Sequence, residues 1–199
     1  MSRVCVYNIN SKISLNNHQV GKNYLRGCHK AIQPYGDVPI LAAGGIATGR
    51  QMAAAMSMGA SGAWCGSVWL TTAESEVPPV IKEKMVATNS SQTTISRSRT
   101  GKHSRQLVSE WTKAWEADGA PEPLPLPLQP MVAEPALAKV NKLAEGGHEG
   151  AKELSTYWVG QGVGLMNQTI SASDVVQEFT RSRNLVTLET LDTFFSKLV

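Results

Sequence analysis

Apolar positions change their period several times along the chain, and each change marks an element. Leu25, Cys28, Ala31 and Ile32 recur at helical spacing, Gly36-Asp37 supplies a turn, and Val38 to Ala43 forms a short apolar run without alternation. A run of that kind suits a parallel strand covered on both faces, with Pro39 tolerable only near its start. After Gly49 the spacing of Met52, Ala55 and Met56 predicts a helix over about residues 50 to 58, closed by Gly59 where a carboxyl-terminal glycine belongs. Gly62 to Cys65 reads as a second strand and ends in Gly66-Ser67. The order is therefore strand, glycine turn, helix, strand, glycine turn, and a right-handed crossover makes the two strands adjacent and parallel. Farther on, Ser171 and Asp174 have capping spacing ahead of Val175, Val176 and Phe179, predicting one or two closing helices.

The glycines at the strand ends change the picture from fold to chemistry. In a parallel α/β sheet ligands gather at the carboxyl ends of strands, and glycine there lets backbone N–H groups approach an anion without a β-carbon in the way. Gly44-Gly45 and Gly66-Ser67 follow two successive strands, the arrangement of the phosphate site after strands seven and eight of a (β/α)8 barrel, and the Ser67 hydroxyl adds a donor. Tight βα turns alone account for such glycines equally well, since a glycine pair is a weak signal.

The stretch "VPILAAGGIATGRQMAAAMSMGASGAWCGSVWLTTAESEVPPVIKEKM", continued through "RSRTGKHSRQLVSEWTKAWEADGAPEPLPLPLQ" and "YWVGQGVGLMN", resembles the carboxyl-terminal part of nitronate monooxygenases, formerly 2-nitropropane dioxygenases. The resemblance implies a partial (β/α)8 TIM barrel, its last strands carrying the phosphate-binding loops, followed by a helical extension. It implies FMN as cofactor, with Ala43, Gly44, Gly45, Gly66, Ser67 and Gln161 at the flavin nucleotide and the helix start near Thr48 to Arg50 facing its phosphate. The implied reaction is oxidation of alkyl nitronates with O2 to a carbonyl compound and nitrite. An FMN-dependent enoyl reductase and a non-catalytic remnant keeping only the phosphate cradle are the alternatives. The family's Gly-Gly-His stretch with its catalytic histidine is absent, so no catalytic residue is assigned. His148 follows Gly146-Gly147 but reads as a solvated loop residue, and this chain alone is expected to bind FMN weakly and to be inactive.

Composition bounds these expectations. A 199-residue chain that is 42% hydrophobic carries one core, and a net charge of +3 demands no polyanionic partner. Cys5, Cys28 and Cys65 have neither zinc nor disulfide spacing. No apolar run approaches the roughly 20 residues of a spanning helix, so a cytoplasmic, intracellular protein with neither a nucleic-acid nor a membrane partner is expected. Residues 1–21 read as a poorly ordered head, 22–90 as the barrel units and 91–199 as the extension, with an exposed barrel edge open to oligomerisation. Ser96 to Arg105 reads as a solvated basic loop, Pro121 to Pro130 as a connector, and the five tryptophans as packing residues.

Overall fold

The computed structural model describes residues 5–8, 32, 34 and 36–184. They group into two compact units, one of the described residues up to Gly66 together with those from Ser171 on, the other of Ser67–Ile170. The grouping follows packing and not chain order, since the last helix returns to the first unit.

In the first unit, β1 (Cys5–Asn8), β2 (Ile40–Ala43) and β3 (Gly62–Trp64) form a parallel sheet in that order. Leu41 stands opposite Gly62 and Ala43 opposite Trp64, with α1 (Gly49–Ser57) as the crossover. The predicted strand, helix and strand are thus present within two residues at each end. Within residues 1–21, read as a poorly ordered head, the described residues form β1, paired with β2 from Cys5↔Ile40 to Asn8↔Ala43. Four residues are too few to carry a periodicity that announces a strand. Ile40, Ala42, Ile46, Ala55 and Ala60 form the core, with Met52, Ala63 and Cys65 packed against it. The helical pattern from Leu25 to Ala31 lies outside the described residues.

The closing helix α6 (Ala172–Asn184) starts where its capping box predicts, the Asp174 N–H donating to Ser171 Oγ at 3.0 Å. Its buried face is Val175 and Ser182 with half-buried Phe179, while Val176 is exposed. The inward stripe is therefore i, i+4, i+7, one position narrower than the sequence suggested. A second closing helix would lie outside the described residues.

The second unit packs α2 (Pro79–Ala87) against the antiparallel hairpin β4 (Thr93–Ser96) and β5 (Ser104–Leu107) through Ile81, Met85, Leu107, Val159 and Val163. The helices α3 (Glu110–Glu116), α4 (Leu128–Glu145) and α5 (Glu149–Leu154) complete it. The stretch expected as a solvated basic loop, Ser96 to Arg105, is mostly the connection between β4 and β5, and Arg99 within it is buried at 4% exposure. Its guanidinium donates to the Glu134 carboxylate at 2.9 and 2.6 Å and lies 3.6 Å from the Trp158 ring centroid. A half-buried acid partner and an aromatic face, neither near in sequence, make burial of that cation tolerable. The proline-rich connector ends at Pro127, because Leu128 already begins α4. Buried Gln129 pins it, accepting from the Leu124 N–H and donating to the Ser98 carbonyl. Trp64, one of the tryptophans read mostly as core or interface residues, is 59% exposed and so is not in the core.

Candidate functional site

The loop leaving β2 is built by two consecutive left-handed residues, Gly44 at φ 100° and Gly45 at φ 75°. Any residue with a β-carbon is strained there, which makes glycine a backbone requirement at both positions. Ala43, at the strand end, is buried, and Ile46 is 5% exposed in the core, so the loop is anchored at both ends. Among the described residues the N–H groups of Gly45 and Ile46 meet no acceptor.

The next two amides are used internally. Gln51 Oε1 accepts from the Ala47 N–H at 2.8 Å and the Thr48 N–H at 3.1 Å, while Gln51 Nε2 donates to the Gly45 carbonyl at 3.2 Å. Thr48 Oγ1 in turn accepts from the Gln51 N–H, closing a capping box. The Gly49 N–H, at the first turn of α1, donates to the Glu178 carboxylate of α6 at 2.7 Å. The helix start from Thr48 to Arg50, expected to face a phosphate, thus already holds the chain's own carboxylate and capping hydroxyl. The Arg50 side chain is exposed.

After β3, Gly66 has an ordinary φ, and a β-carbon added there would meet nothing within 4 Å. The chain's own packing therefore gives no reason for glycine at this position. Cys65, its neighbour, is half-buried, and burial pushes its thiol pKa upward. In the second unit Ser67 Oγ accepts from the Gly160 N–H at 2.8 Å, which leaves the hydroxyl proton to donate elsewhere. This bond brings Ser67 to the turn that carries Gln161, 94 residues later in the chain. Ser90 Oγ donates to the Gln161 carbonyl at 2.6 Å, while the Gln161 side chain is exposed.

The structure thus joins Ala43, Gly44 and Gly45 in one loop and joins Ser67 to the Gly160-Gln161 turn. The clamp by Gln51 is an addition to the sequence reading, and the Thr48-x-x-Gln51 spacing is the capping signal that could have found it. Glu178 carried no such signal, since its partner is 129 residues away. His148 caps α5, its Nδ1 accepting from the Ala151 N–H at 3.3 Å, and is more than a solvated loop residue. His103 is exposed, while His18 and His29 lie outside the described residues. Among the described residues no group of three metal-ligating side chains converges, and no helix is long and apolar enough to cross a membrane.

Residues 21–182 match the nitronate monooxygenase family. A Mycobacterium tuberculosis protein provisionally named a monooxygenase is 51% identical over 146 residues, which make up 71% of this chain and 39% of that protein. The nitronate monooxygenase of Pseudomonas aeruginosa is 30% identical over 138 residues, 69% of this chain and 37% of its own length. Nitroalkane oxidase from Streptomyces ansochromogenes superimposes with a TM-score of 0.64 at 25% identity, covering 78% of this chain and 42% of that structure. The chain spans about two fifths of the curated relatives' length, and its α/β architecture is part of a TIM barrel. It belongs to the nitronate monooxygenase family of oxidoreductases.

Proposed function

We propose that this chain is the phosphate-gripping part of an FMN-dependent oxidoreductase that converts alkyl nitronates and O2 to a carbonyl compound and nitrite. The observation that carries the reading is the left-handed Gly44-Gly45 pair at the carboxyl end of β2, with the N–H groups of Gly45 and Ile46 free of acceptors among the described residues. Oriented amides of that kind suit a dianion. The open space at Gly66 supports the same assignment, because a backbone that must be approached closely by a ligand needs glycine without needing a positive φ.

The residues present fit a flavin phosphate. Gly45 and Ile46 donate to it, Ala43 and Gly44 set the path of the loop, and Gly66 leaves room for its approach. Ser67, whose Oγ holds the turn that carries Gln161, is assigned to the flavin together with Gln161 by the family resemblance alone. The bound flavin supplies the redox chemistry of substrate oxidation and O2 reduction. No described residue is assigned as base, so the chain's own contribution is binding and orientation. The enoyl reductase alternative is not favoured, since the family whose model matches residues 21–182 is that of the nitronate monooxygenases.

A titration separates the phosphate grip from ring binding. FMN and riboflavin differ only in the phosphate, so flavin fluorescence quenching by this chain should show FMN binding at least about tenfold tighter, equivalent to roughly 1.4 kcal/mol. Gly45→Asp, which places a carboxylate on a left-handed residue of the loop, should abolish the preference. Equal affinities for the two flavins in the unaltered chain would overturn the proposal.

A further inference from the structure

We infer that Gln51 is a positioning residue for the phosphate loop, deciding which of its amides face the ligand; the ligand half of this inference rests on the phosphate reading above. The loop from Gly45 to Thr48 offers four N–H groups in sequence. Gln51 removes two of them, its Oε1 accepting from Ala47 at 2.8 Å and Thr48 at 3.1 Å, and its Nε2 holds the Gly45 carbonyl at 3.2 Å. A carbonyl held on one side of a peptide turns the N–H of the next residue to the other side, because the peptide unit is planar and trans. The unit joining Gly45 to Ile46 is therefore oriented with its carbonyl toward Gln51 and the Ile46 N–H away from it.

Two further contacts make the arrangement rigid. The Ile46 side chain is buried among Ile40, Ala42, Ala55 and Ala60, so the residue bearing that amide cannot rotate without leaving the core. The Glu178 carboxylate accepts from the Gly49 N–H at 2.7 Å, with Ser182 Oγ donating to its other oxygen at 3.2 Å. A negative group already sits on the first turn of α1, where the helix dipole favours it. The ligand anion is left with Gly45 and Ile46, and their aim depends on the Gln51 amide.

Gln51→Met keeps the length and removes all four side-chain bonds to the loop, the one from the Thr48 hydroxyl to Oε1 at 3.3 Å included. The expected outcome is a loss of about tenfold in FMN affinity with riboflavin affinity unchanged, so that the preference for the phosphate collapses. Amide hydrogen exchange read by NMR gives a second arm without flavin: Ala47 and Thr48 amides protected in the unaltered chain should exchange freely in the variant, while β2 amides keep their protection. Gln51→Glu retains the acceptor and the capping box but loses the donor to Gly45. It should preserve protection at Ala47 and Thr48 and still lose the FMN preference. If the unaltered chain shows no FMN preference, the phosphate reading falls and the exchange arm alone decides the loop-setting role of Gln51. Unchanged exchange at Ala47 and Thr48 in Gln51→Met, or parallel loss of FMN and riboflavin affinity, would overturn the inference.

Discussion

The ion pair between Arg99 and Glu134 should respond asymmetrically to truncation. Arg99 keeps 5% of its side chain exposed and Glu134 keeps 39%, so the two groups stand in different dielectric surroundings although they share two hydrogen bonds of 2.9 and 2.6 Å. Glu134→Ala strands a buried guanidinium whose Nη1 already has no acceptor among the described residues. Removing one partner of a fully buried pair costs about 3 to 5 kcal/mol, and partial exposure of the acid lowers the expected loss here to about 2 to 3 kcal/mol. Arg99→Met leaves a carboxylate that water can reach and a thioether of similar length against Trp158. The loss of the cation–π contact, about 1 to 2 kcal/mol, is partly offset by relief of the buried charge, for a net cost of about 1 kcal/mol. Urea unfolding followed by tryptophan fluorescence measures both, since Trp158 lies in the contact. Arg99→Met costing as much as Glu134→Ala would refute the argument from burial.

Two further outcomes follow from single side chains. Lys84 Nζ donates to the carbonyls of Lys152, Glu153 and Ser155 at 3.2, 3.3 and 2.8 Å, tying α2 to the end of α5, and Lys84→Met should cost about 1 to 2 kcal/mol in the same unfolding assay. Burial lowers the folded pKa of Lys84 below its ordinary 10.5, so the unfolded chain binds that proton more tightly; the stability gap between the unaltered chain and Lys84→Met should widen as pH rises through the folded pKa toward 10.5. Cys65, whose thiol burial pushes upward, should alkylate with iodoacetamide more slowly at pH 8 than a peptide cysteine, as read by mass spectrometry of its own peptide. Alkylation at the peptide rate would contradict the burial of Cys65.

What the sequence by itself determined is what neighbours in the chain decide among themselves. The β2 to α1 to β3 unit was legible because strand and helix periods, a closing glycine and a near-obligatory crossover are local signals. The glycine pair was legible as a special loop for the same reason, and its positive φ values agree. The capping boxes at Thr48 and Ser171 are written in a four-residue spacing. Tertiary structure alone decided the rest. Glu178 reaches Gly49 across 129 residues, Ser67 reaches Gly160 across 93, and Arg99 reaches Glu134 across 35. Each of those side chains is polar and, read alone, belongs on a solvated face; only packing brings its partner close, and for buried Arg99 that partner offsets the cost of leaving water. The four residues of β1 became a strand only because β2 presented an edge to pair with, a choice set by the backbone groups of another segment and not by their own pattern.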